Sequence, residues 1–103
     1  MSAANSLRGE AELRVGARSL VLRPSFAALV AAEEELGPLF ALVERAADGR
    51  LALGELAALF WHCVRGRDET LTREAVGEAL VEQGLAAVTP ALRVLLGQIL
   101  QGR

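Results

Sequence analysis

No lysine and no tyrosine occur in the 103 residues, and cysteine, histidine and tryptophan occur once each. Each scarcity closes off a class of function. A lone Cys63 rules out an internal disulfide and fits a reducing compartment. Neither His62 nor Cys63 has a second His or Cys at metal-ligand spacing. Without lysine, Gly49, Gly54 and Gly66 cannot belong to a phosphate-binding loop. Aromatic residues make up only 4% of the chain, so its core is aliphatic. The 11 basic residues are all arginines, scattered along a chain of net charge −2. Nucleic acid requires a basic stripe to replace its counterions, so it is not an expected partner. Apolar runs are broken well short of membrane-spanning length, so neither is a membrane. Met1 to Leu7 lacks a basic patch followed by an apolar run, so no signal peptide is expected.

The chain does hold enough apolar residues, 52% against 23% charged, to pack one domain over 1–103 without disulfides. Its start alternates. Ala11, Leu13 and Val15 fall on one face, and Glu10, Glu12 and Arg14 on the other. Period two with one apolar face predicts a half-buried strand. Gly16-Ala17-Arg18 supplies a turn, and Ser19 to Arg23 returns with Leu20 and Leu22 inward. This predicts an antiparallel hairpin over about 9–23, stopped by Pro24.

Helical spacing follows. Ser25 is placed to cap a helix over about 25–36 carrying Phe26, Leu29, Val30 and Leu36, and Gly37-Pro38 ends it. A second helix covers about 39–47, with Leu39, Leu42 and Val43 apolar. The most apolar one spans about 53–65, with Leu56, Leu59, Phe60, Cys63 and Val64 as its buried stripe. Thr72 caps a helix over about 73–83, with Val76, Leu80 and Val81 inward and Gly84 closing it. Thr89-Pro90 reads as N-cap and first position of a last helix, about 90–101. Ala86 to Val88 is compatible with a preceding helical turn. The expected fold is α+β, an N-terminal two-stranded antiparallel β-hairpin followed by a bundle of four to five short α-helices.

The chemistry-bearing residues point away from catalysis. Gly49 at the sixth place of a calcium loop puts Asp48 fifth and Glu55 twelfth, but Glu44 and Ala46 then stand first and third. That loop lacks a carboxylate outright, and an ordinary junction between helices is expected. His62 and Cys63 point about 100° apart on a helix and cannot share one ligand. A buried structural thiol and a half-buried or surface histidine are the expectation. Glu33-Glu34-Glu35 fan around a helix axis and mostly face water. Phe60-Trp61 reads as core. No catalytic residue, cofactor or metal is expected, and the chain is read as a non-enzyme.

The C-terminal helix is a candidate contact surface. Leu92, Leu95, Leu96 and Ile99 already fill one stripe, while Val94 and Leu100 widen it and Leu85 and Val88 add apolar surface before it. Arg93 is the only charge between Pro90 and Gln101. Leu85, Val88, Val94 and Leu100 are therefore the candidate partner-binding residues, burial within the bundle being the alternative.

Together these parts resemble a known family. Leu7-Arg8-Gly9-Glu10 opens the first strand and Leu22-Arg23 closes the second. Ala28-Leu29 with Glu33 leads to Gly37, and Gly49, Leu51, Glu55 and Leu56 lead into the central helix. Arg65-Gly66 closes that helix and Gly84-Leu85 opens the last segment. In order and spacing this resembles the short tail assembly chaperone-like family of gene transfer agents and related phages. The resemblance implies a bacterial cytoplasmic factor of virus-like tail assembly. Its implied partner is the tape-measure protein or other tail proteins, with homo-oligomerisation or a tail-tube role as the alternative and association with phage-like particles in view.

Overall fold

Residues 10–102 are described by the computed structural model. The Met1 to Leu7 stretch, the Leu7-Arg8-Gly9 opening and the first residue of the expected hairpin lie outside them. Strand β1 (Ala11–Val15) pairs antiparallel with β2 (Arg18–Leu22), Leu13 facing Leu20 and Ala11 facing Leu22. Arg18 belongs to the strand, so the turn has only two residues. Gly16 there has φ of 63°, the left-handed first position of a II′ hairpin turn. Ala11, Leu13, Leu20 and Leu22 are buried, as the alternation predicts. But Glu10, read as outward with Glu12 and Arg14, is only 3% exposed, its carboxylate meeting Arg65 of the segment bridged to β2, and Val21 is buried as well.

Five helices follow: α1 (Phe26–Leu36), α2 (Leu39–Ala47), α3 (Leu53–Cys63), α4 (Arg73–Gln83) and α5 (Leu85–Gln101). Their ends obey local chemistry. The Ser25 hydroxyl oxygen accepts from the Ala28 amide, and that of Thr72 from the Ala75 amide. Gly37 and Gly84 end α1 and α4 at positive φ, 90° and 86°, where a side chain would be strained. Glu33 reaches past the Gly37-Pro38 break and accepts from the Leu39 amide, which Pro38 has no side-chain acceptor to satisfy.

Two boundaries differ from the sequence reading. Helix α3 stops at Cys63, not Arg65. Val64 instead forms an antiparallel bridge with Leu22, flanked by Arg23 N–H to Cys63 O at 2.7 Å and Arg65 N–H to Val21 O at 2.8 Å. The outer edge of β2 needs partners for its amides and carbonyls, and this segment supplies them. Helix α5 starts at Leu85, so Pro90 lies inside it and Thr89 is not its cap. Val88 is buried and holds the extra turn on the core. The Thr89 hydroxyl donates to the Leu85 carbonyl, and the Ala86 carbonyl that Pro90 leaves without a donor belongs to an exposed residue.

One apolar cluster joins hairpin and helices. Phe60, Leu22, Leu42, Leu59, Leu80, Val76 and Leu95 are wholly enclosed in it. The expected stripe of α3 is buried in full. One inward placement fails, since Val81 is 61% exposed; of the apolar residues at helical spacing on α1, Phe26 is 85% and Val30 39% exposed. Ala32 is the buried residue of α1, and Ala79 takes the inward place that Val81 was given on α4.

Candidate partner-binding surface

The polar groups nearest to chemistry are structural ties. Glu35 on α1 takes Arg73 of α4 at 2.6 and 2.9 Å and stands 2.8 Å from His62 Nε2 on α3. The Arg73 guanidinium, then His62, holds the Glu35 carboxyl down at about 2. Glu35 is thus a strut between three helices and not a group facing only water. Cys63, which follows His62 in the chain, is buried, and desolvation pushes its thiol up to about 12, far from a reactive thiolate. Phe60 is core, while the half-buried Trp61 ring carries the Arg67 guanidinium 4.4 Å from its centroid.

In the loop that mimics a calcium site, Glu55 accepts from the Ala52 amide and from Arg45, and Asp48 pairs with Arg50. These bonds hold Glu55 below the usual carboxylate range, the Ala52 amide first and Arg45 second. Among the described residues no group of three His, Cys, Asp or Glu is placed to hold a metal ion.

The candidate contact residues of α5 separate. Leu85 and Leu100 are exposed, 50% and 52%. Val88 is core, and Val94 is half-buried against the same cluster, lining a cleft beside Leu13 of β1. Val88 thus falls to the burial alternative. Leu100 lies with Phe40 and Val43 at a smaller cleft between α2 and α5.

Larger apolar surface lies elsewhere. Phe26 is 85% exposed, and Phe40, at the rim of the cleft with Leu100, is 80% exposed. Between α3 and α4 runs an open groove of about 980 Å³, floored by Leu53, Gly54, Ala57, Gly77 and Val81. A Cβ at Gly77 would stand in ordinary contact, 3.7 Å, with that of Ala57, so the helices lie close there without glycine being required. Glu74, Glu78 and Glu82 line its α4 side. The sequence reading missed this row, although spacing of i, i+4, i+8 places the three on one helix face. No single helix among the described residues is long and apolar enough to cross a membrane.

These features define a small hairpin-and-bundle protein with apolar clefts and exposed side chains on its helical face. A family model described as phage tail tube protein, GTA-gp10, matches residues 8–102, the hairpin and all five helices. The chain belongs to that family, which makes it a phage-type tail protein of the gene transfer agent kind. No curated protein and no solved structure matches it.

Proposed function

We propose that the chain is a non-enzymatic protein-binding factor of tail assembly that covers an apolar helical face of the tape-measure protein in the bacterial cytoplasm. The observation that carries this reading is the set of large apolar side chains left uncovered on its helices, led by Phe26 and Phe40 at 85% and 80% exposure. Scattered exposed leucines need no explanation, but two outward phenylalanines in a chain with three are a cost unless a partner covers them. The buried Cys63 and the ion-paired Glu35 support the non-enzymatic part.

The family description favours a second reading, a structural component of the tail tube in contact with other tail proteins or further copies of itself. Two measurements separate the readings. Co-expression with the tape-measure protein of the same tail, followed by pull-down, yields a complex if the first is right. Purified particles then lack the chain; stoichiometric presence in finished particles overturns the first reading in favour of the second.

A further inference from the structure

We infer that the α3–α4 groove is the docking site for an amphipathic helix from another protein, one bearing arginine or lysine along a single edge of its apolar stripe. The inference rests on the reading of the chain as a protein-binding factor and names the site and the chemistry of the occupant.

The groove has the form a helix requires. Its floor combines glycine and alanine, Gly54, Ala57 and Gly77, with the exposed Val81 and Leu53, 61% and 44%. Small residues let a second backbone approach, and the larger ones give it apolar contact. Glu74, Glu78 and Glu82 stand one turn apart over about 12 Å of α4, a length matched by two turns of a partner.

The carboxylates decide what kind of helix. None of the three makes an ion pair within the described residues. Arg73, the one cation at the groove, is already turned onto Glu35. Within α4 like charges four apart repel, and although Glu74 sits in the first turn, where the helix dipole favours an acid, Glu82 lies in the last turn, where it does not. The α3 side of the groove offers Leu53 and Gly54 and no charge. A complementary helix therefore carries cations on the α4 edge only. A second copy cannot supply them, because no helix of this chain holds more than one arginine and none holds lysine. The occupant is another protein.

The test uses the full chain and a fluorescent synthetic peptide of about five helical turns, with a leucine stripe and an arginine every fourth residue along one edge. Anisotropy should show saturable one-to-one binding that weakens as salt is raised. Glu74→Lys/Glu78→Lys/Glu82→Lys should weaken it by at least about tenfold. Glu34→Lys/Glu44→Lys/Glu69→Lys, with the same change in net charge on exposed positions outside the groove, should leave it within about twofold. Gly54→Arg places bulk and like charge in open space on the floor and should also weaken binding while the fold is kept. Failure of the wild-type chain to bind the peptide would overturn the inference. Equal losses in both triple variants, or none in the first, would do the same. So would an oligomer of the chain that the first triple variant dissolves, since the groove's occupant is then a second copy. Tape-measure capture that the groove variants leave unchanged removes this site and keeps the assembly reading. Peptide binding without capture of any tail protein does the reverse.

Discussion

Replacing Leu13 tests the central claim that the hairpin is part of the core and not an appendage. Leu13 is 2% exposed, faces Leu20 across the ladder and packs in the apolar cluster that holds Leu95 and Val88 of α5. A two-stranded hairpin is marginal alone in water, so its order depends on that contact. Truncating a buried leucine to alanine costs about 2–5 kcal/mol, the lost transfer energy plus the cavity left behind. A domain of this length loses about 4 °C of melting temperature per kcal/mol, so Leu13→Ala should lower it by about 8–20 °C. Leu13→Asp adds an unpaired buried charge. At about 3–5 kcal/mol or more, it approaches the total stability of about 5–15 kcal/mol expected for a chain of this size. The neighbouring Arg14 side chain points outward, and Arg14→Ala should stay within about 0.5 kcal/mol, or about 2 °C. Thermal unfolding followed by far-ultraviolet circular dichroism reads all three. A shift under about 2 °C for Leu13→Asp, or equal shifts for Leu13→Ala and Arg14→Ala, would refute the packing argument.

Other predictions follow from the same surfaces. Glu35 has its folded value depressed to about 2, below its unfolded range, so its contribution is present above about pH 4.5 and fades as pH falls toward 2. The side chain is 38% exposed, so the effect is modest, and Glu35→Gln should flatten the acid limb of the melting curve between those values; an unchanged limb would count against the strut. On α5, Val94→Glu should destabilise by about 1–3 kcal/mol while Leu100→Glu keeps the melting temperature within about 2 °C; the opposite order would show that the burial of Val94 has been misread. Calorimetric titration with calcium or zinc should give no stoichiometric heat, because Glu55 is engaged by Arg45 and the Ala52 amide; micromolar one-to-one binding would refute this.

What the sequence made legible was whatever a few neighbouring residues decide. The inward face of the hairpin follows from alternation, though not its register, since Arg18 pairs with Val15 and is not part of the turn. The ends of α1 and α4 follow from Ser25, Thr72, Gly37 and Gly84, since each cap closes its own backbone bonds. Burial of the α3 stripe was legible because so many apolar residues share that face. Spacing alone says which residues share a face, not whether anything covers it, so Val81 is outward against the reading and the spacing of Phe26 and Val30 on α1 does not bring them burial. The end of α3 at Cys63 was hidden for a related reason: the competitor of helix at Val64 is the edge of β2, about forty residues earlier in the chain. Thr89-Pro90 carries a strong local signal for a helix start, and burial of Val88 overrode it. Of the candidate surface, apolar excess on α5 was legible, but the groove was not, because it exists only where α3 and α4 meet.

The bridge between Leu22 and Val64 also sets an order of events during synthesis. The hairpin leaves the ribosome first, yet the segment that completes its edge is made about forty residues later. At about 5–20 residues per second, the exposed edge waits about 2–8 s for the segment that bridges to it. During that interval its amides and carbonyls are open to any other extended chain, and the charged Arg18 at the start of β2 and Arg23 just past its end are that edge's own protection against pairing with one. Slow translation between Pro24 and Val64 would therefore favour aggregation of the nascent chain, and a chain cut before Cys63 would carry an edge that nothing closes.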